Sequence, residues 1–213
     1  MRIGILGSGL MGGKLGTIFA RAGHDVVFSY ARSRGKLERL AREAGGGARA
    51  GTPAEAAADA DALLLAVHWS KIDDVLGQAG VISGKILVSC SLPMNEDDTD
   101  LALGHTTSGA EELARRYAKA RIVAAFNTVP SEVLFGVFDA RQHEARPGLV
   151  YYGDDAGARD VAAGLIRDVG FEPVDAGSLR TARYAEPFAL LVARLAYEGE
   201  AGPELAYRFE RYG

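Results

Sequence analysis

The chain has 213 residues, of which 48% are hydrophobic and 24% charged, with 24 basic against 28 acidic side chains for a net charge of −4. That is enough for one domain with a full core, or one domain plus a small addition, and the lack of a basic block argues against nucleic acid as a partner. No apolar run reaches the roughly 18 residues of a membrane helix, and a lone cysteine, Cys90, excludes an internal disulfide and fits a reducing cytoplasm.

Residues 2–6 read as a short apolar strand, so close to the start that no room is left for a signal peptide. Gly7-Ser8-Gly9-Leu10-Met11-Gly12 follows and opens a helical pattern with Met11, Leu15, Ile18, Phe19 and Ala22 on one face. A G-x-G-x-x-G run between strand and helix is a dinucleotide-binding signature. The first glycine permits the tight turn, the second lets a pyrophosphate approach the backbone, and the third lets helix and sheet pack closely. The helix start offers unpaired N–H groups to phosphate.

A second strand spans residues 26–30. A helix carrying Leu37, Leu40, Ala41 and Ala44 follows and stops at Gly45-Gly46-Gly47. Residues 48–50 make a short strand, and Thr52-Pro53-Ala54-Glu55 is a capping box with proline at the first helical position. Residues 62–67 form a continuous apolar run, as in a central parallel strand. Ser70-Lys71-Ile72-Asp73 resembles a further cap, with Ile72, Val75, Leu76 and Ala79 turned inward. Strands are expected at residues 86–89 and 122–125, with a helix between them capped at Ser108-Gly109-Ala110-Glu111. The acidic stretch 95–100 reads as a solvated loop. A strand at 149–152, a helix at 155–169 ended by Gly170, and a long helix at about 179–198, kinked at Pro187, complete the chain.

This alternation predicts an α/β fold: a doubly wound, mostly parallel sheet of the Rossmann NAD(P)-binding type with a small C-terminal helical extension. The whole chain is expected to form one domain, with a dinucleotide-binding core at 1–126 and a strand-helix extension at 127–213 packed on it.

NAD enzymes of this fold place an acid at the end of the second strand, whereas NADP enzymes place groups that accept a 2′-phosphate. Here Ser29-Tyr30-Ala31 leads into Arg32-Ser33-Arg34-Gly35-Lys36, three cations and no acid. Arginine pairs with phosphate through charge-assisted bonds, so the expected cofactor is NADP. Tyr30, Arg32, Ser33 and Lys36 join the glycine loop in the expected cofactor site. Arg34 is left open between that site and the solvated helix face.

The chain resembles the coenzyme F420-dependent NADP oxidoreductases. The likeness rests on the opening strand and glycine loop, the segment from Arg32 to Lys36, and Phe126-Asn127-Thr128-Val129-Pro130. It continues in Gly153-Asp154-Asp155, Asp175-Ala176-Gly177-Ser178-Leu179 and Arg183-Tyr184-Ala185-Glu186. It implies hydride transfer between nicotinamide and a deazaflavin. It also implies that Ser8 to Met11 contact the pyrophosphate, that Arg32, Ser33 and Lys36 hold the 2′-phosphate, and that Val67, His68 and Trp69 lie beside the nicotinamide half.

Such a transfer needs no protein nucleophile, because the cofactors carry the chemistry and the protein aligns the rings. No catalytic side chain and no metal ligand set is assigned. The chain has no Tyr-x-x-x-Lys pair and no lysine after Lys119. His68 either contacts nicotinamide or is a strand-end residue, Trp69 either stacks near the rings or packs at a helix start, and Asn127 either orients a ring or bonds its own turn. His105 reads as solvent-facing and Cys90 as a buried structural thiol. Arg183 and Glu186, three apart on one helix, either pair with each other, the favoured reading, or face the cleft. The apolar tail with Leu205, Tyr207, Phe209 and Tyr212 either docks on its own domain or crosses to a second copy in a homodimer. The functional readings are NADPH-to-deazaflavin (or flavin) hydride transfer, NADPH-dependent reduction of a quinone, ferric or small carbonyl substrate, and a non-catalytic NADP-binding redox sensor.

Overall fold

A computed structural model describes residues 1–212. The last residue of the expected extension, Gly213, lies outside the described residues. The apolar runs become the middle of a sheet. β1 (Arg2–Leu6), β4 (Ala62–Leu65) and β5 (Ile86–Ser89) are buried almost throughout, because helices cover both faces. With β2 (Asp25–Ser29), β3 (Arg49–Ala50), β6 (Arg121–Ala124), β7 (Gly148–Gly153) and β8 (Glu172–Asp175) they form one sheet of order β3-β2-β1-β4-β5-β6-β7-β8. The first six strands are parallel, the doubly wound order. β7 runs antiparallel to β6, pairing Ala124 with Tyr152, and β8 runs parallel to β7.

Alternate residues of each strand feed two apolar layers. On one face Ile3, Ile5, Phe28 and Leu64 pack under α1 (Leu10–Arg21), α2 (Arg34–Ala44), α6 (Val133–Asp139) and α7 (Ala156–Val169). On the other, Leu6, Leu63 and Leu65 meet α3 (Pro53–Ala58), α4 (Ile72–Ala79), α5 (Gly109–Arg116) and α8 (Ala182–Tyr197). No helix among the described residues is long and apolar enough to cross a membrane.

The local signals hold where a side chain closes a helix end. Thr52 and Glu55 exchange the two bonds of a capping box, Ser108 accepts from the Glu111 N–H, Asp155 accepts from the Ala158 N–H, and Gly170 ends α7 in the left-handed region. The Ser70 cap is corrected. His68 caps a 3₁₀ turn at Trp69–Lys71, and α4 starts behind it with no side-chain cap. The second strand ends at Ser29, one residue early, because Tyr30 adopts φ +55°. Pro187 lies inside α8 without ending it, and a 3₁₀ turn at Leu179–Thr181 precedes that helix. Two elements are absent from the sequence reading: α6, and β8, whose Glu172-Pro173-Val174-Asp175 has no apolar run.

The Arg183–Glu186 pairing is also corrected. Arg183 reaches across to α5, donating to both Glu111 oxygens at 2.8 Å, while Glu186 is 1% exposed and accepts from the Gly109 and Ala110 N–H groups at 2.9 Å. An i,i+3 pair loses here because the two residues face different neighbours on the α5 N-terminus, where a carboxylate is favoured. Tyr207 docks that part of the tail on its own chain, while Phe209 and Tyr212 stay exposed. The Tyr207 hydroxyl bonds to Val150 N at 3.0 Å and to Thr128 Oγ1 at 2.7 Å.

Candidate functional site

Register aligns the strand ends. Leu6 pairs with Ser29 and Leu65, Leu65 with Ser89, and Ser89 with Ala124, so the loops that follow all leave at one carboxyl edge. The strand order reverses between β1 and β4, the switch point where such sheets bind ligands. A crevice crosses it in two parts that share Leu10, Ala66, Val67 and His68.

The wider part, about 620 Å³, is lined by Gly7, Ser8, Gly9, Leu10, Tyr30, Arg32, Lys36 and Val67, among others. Among the described residues four cations border it (Arg32, Lys36, Arg39 and Lys71) and no carboxylate does. The glycines divide the labour expected of them. A Cβ on Gly7, at φ +112°, would lie 2.4 Å from the Ala66 carbonyl oxygen, and one on Gly12 would lie 1.9 Å from the Gly7 oxygen. A Cβ on Gly9 would meet nothing within 4 Å. The open space a ligand needs is therefore at Gly9, and Gly12 serves packing. No side chain caps α1, and its first backbone bond runs from Gly13 N to Gly9 O, which leaves the N–H groups of the first turn without helical partners. These are the donors a pyrophosphate takes.

Ser8 is committed elsewhere. It is fully buried, with Oγ donating to Ser29 O at 2.8 Å and its N–H donating to Tyr30 O at 3.1 Å, so it pins the loop to β2. Ser33 caps α2 and does not line the crevice. Arg34 pairs with Glu38 at 3.0 Å on the solvated face of α2. The Tyr30 hydroxyl donates to Asp74, and burial together with that carboxylate pushes its pKa up to about 12. Tyr30 is thereby a fixed neutral wall. Trp69 lines neither part. It packs against the α4–α5 layer beneath Arg116, whose guanidinium carbon is 5.6 Å from the ring centroid.

The second part is a chamber of about 340 Å³, bounded by Met11, Leu92, Met94, Phe126, Val129 and Pro130, and closed by Ala189, Val192, Ala193 and Tyr197 of α8. Its polar members are largely engaged. His68 Nδ1 accepts from the Ser70 N–H at 3.2 Å, so Nε2 carries the hydrogen and bonds Asp98 at 2.7 Å, tying the 94–101 loop over the edge. The Tyr197 hydroxyl donates to Glu132 at 2.8 Å, and burial with that carboxylate holds its pKa at about 12. Burial pushes the Cys90 thiol well above its ordinary range, as befits an inert thiol. His105 is exposed, in a left-handed loop position. Asn127 is 7% exposed and its Nδ2 donates to Tyr152 Oη at 2.9 Å, a bond across strands and not within its own turn.

Arg39, Lys71, Ser91 and the α8 wall are crevice residues that the sequence reading lacked. Arg39 stands three residues beyond Lys36 and was legible as the same helix face. The α8 residues carry an ordinary apolar helical spacing that reads as core.

Fold and crevice together define a Rossmann-type protein with a ligand cleft at its switch point. Residues 2–93 match the family model of the NADP oxidoreductases, coenzyme F420-dependent, so the resemblance holds over the segment that carries the opening strand, the glycine loop and Arg32 to Lys36, while its other four motifs lie beyond that match; the family is one of NADP-dependent oxidoreductases. The chain is 29% identical over 192 residues to Metalloreductase STEAP3 of Rattus norvegicus, covering 89% of this chain and 36% of that protein; it spans about a third of that relative's length. Among solved structures, a protein of Arthrobacter sp. FB24 provisionally described as an F420-dependent NADP-reductase superposes with a TM-score of 0.86 at 24% identity, covering 99% of this chain and 100% of that one. A reductive aminase from Aspergillus terreus, solved with NADPH and ethyl levulinate, gives 0.64 at 20% identity over 90% of this chain and 59% of that one. At these identities the structural likeness is one of fold.

Proposed function

We propose that this chain binds NADP(H) along the crevice and passes hydride between the nicotinamide and a flat ring acceptor in the apolar chamber, a deazaflavin such as coenzyme F420 or a flavin. The observation that carries this reading is the continuity of a cation-bordered, acid-free cleft with an apolar chamber across the switch point. The residues fit the cofactor. The open approach at Gly9 and the first-turn N–H groups of α1 suit the pyrophosphate, and Arg32 and Lys36, with Arg39 beside them, suit a 2′-phosphate that a carboxylate would repel. When bound, the reduced cofactor would supply the hydride and the oxidised one would accept it.

The chain's part is to align and to exclude water. Met11, Phe126 and Val129 form the apolar floor, α8 forms the roof, and His68 with Asp98 holds the 94–101 loop. Carbonyl reduction calls for a proton donor. Among the chamber's titratable side chains, His68 and Tyr197 direct their hydrogens at Asp98 and Glu132, and burial makes the Cys90 thiol a poor acid, which favours ring-to-ring transfer. A ferric acceptor is the second reading, favoured by the similarity to a metalloreductase over most of this chain.

The test mixes the protein with NADP and reduced coenzyme F420 and follows NADPH absorbance, alongside NADPH with oxidised flavin, quinone and ferric chelate. Growth of the NADPH band with coenzyme F420 supports the first reading, and turnover with ferric chelate alone supports the second. Tight NADPH binding with no turnover across the panel identifies a redox-sensing module instead.

A further inference from the structure

Asn127 presents an unsettled account. It directly follows Phe126, a fully buried residue held at φ +66°, a backbone conformation that a bulky side chain adopts only under constraint. The amide nitrogen is spent on Tyr152. The amide oxygen is buried and has no hydrogen-bond partner among the described residues. An orphaned buried acceptor is costly unless a ligand satisfies it. The open space that Asn127 borders is the chamber, directly beyond Leu10 and Val67, where the pyrophosphate half of the crevice ends.

We propose that Asn127 Oδ1 is the acceptor for the amino group of the nicotinamide carboxamide, and that Tyr152 is the positioning residue that orients it. This rests on the NADP reading above. The chemistry is complementary. Oδ1 offers only lone pairs, and a carboxamide nitrogen offers only hydrogens. The Tyr152 hydroxyl, fully buried beside Ala124 on the antiparallel strand, takes Nδ2 and so leaves the oxygen as the amide's unspent acceptor. The strained turn at Phe126 is the local cost of presenting that oxygen at the strand end.

The experiment compares NADP with its 3-acetylpyridine analogue, in which a methyl group replaces the carboxamide amino group and the carbonyl is retained. Calorimetric dissociation constants are measured for the wild type, Asn127→Ala and Tyr152→Phe, with thermal unfolding to confirm that each variant is folded. The wild type is expected to bind the analogue roughly 10-fold more weakly, the scale for leaving a buried acceptor unpaired. Asn127→Ala should weaken NADP by a similar factor and bind both ligands alike, and Tyr152→Phe should retain only part of the preference. Equal binding of the two ligands by the wild type, or an undiminished preference in Asn127→Ala, overturns the proposal while leaving the cofactor reading intact. Folded wild-type protein that binds neither ligand overturns both. Should Asn127→Ala not fold, Asn127→Ser carries the same comparison.

Discussion

Gly9 and Gly12 are three residues apart in a motif that gives them different roles, and the structure accordingly predicts opposite outcomes for the same substitution. Gly12→Ala drives a methyl to within 1.9 Å of the Gly7 oxygen, a backbone atom that cannot swing aside. It should cost about 1–3 kcal/mol of stability, the range for overpacking, read as a lowered denaturation midpoint. Gly9→Ala meets no atom within 4 Å and should leave that midpoint unchanged while sharply weakening NADPH, because the methyl stands where a phosphate must approach. Arg32 provides a third test at this scale. It borders the crevice and no ion pair engages it among the described residues. Arg32→Ala should weaken NADPH by about 1.5–3 kcal/mol, the value of a hydrogen bond to a charged group, and leave NADH nearly untouched. Equal losses for the two cofactors would remove Arg32 from the 2′-phosphate site.

At the scale of elements, the crevice is completed by α8, whose seating depends on α5. Glu186 of α8 accepts two backbone bonds at the start of α5, and Arg183 one turn earlier holds Glu111. Burial outweighs those two bonds and the nearby Glu111 charge adds to it, so the Glu186 pKa rises from 4.5 to about 7. Between those values the folded chain keeps a proton that the unfolded chain has released. Stability therefore falls as pH rises through that window and levels off above about 7. The effect is on the order of 3 kcal/mol at most, from the size of the shift. Denaturant titrations at pH 5 and pH 8 should show the decline in the wild type and a flatter profile in Glu186→Gln; identical slopes would exclude Glu186 as its source. The Tyr197–Glu132 bond fastens the other end of α8 above the chamber.

For the molecule as a whole, the crevice splits into a cation-bordered part and an apolar part, and salt separates their proposed roles. The four cations of the wide part stand near solvent, where a rise in ionic strength shortens the reach of charge to a few ångströms. Raising salt should therefore weaken NADPH more than NADH, which lacks the extra phosphate. Parallel salt dependences would argue against the cation border as the discriminating feature. Because ligand binds the folded state alone, NADPH at one hundred times its dissociation constant should add about 2.7 kcal/mol of stability, seen as a raised unfolding temperature.

The order of strands and helices apart from α6 and β8, the glycine loop, the capping box at Thr52 and the acid-free segment after the second strand were legible in the chain. Each is a local rule: a periodicity, a cap, or a motif fixed to a strand–helix junction. What local rules could not reach was decided by packing. The pairing of Arg183 with Glu111 joins positions 72 apart, the anchoring of Asn127 on Tyr152 joins positions 25 apart, and α8 roofs the chamber with residues indistinguishable in sequence from core. The sequence by itself determined the fold and which end of the sheet carries the crevice, because backbone period and turn chemistry act over a few residues. Only the tertiary structure decided which polar groups are spent and which remain for a ligand, because that depends on what distant segments bring to the same edge.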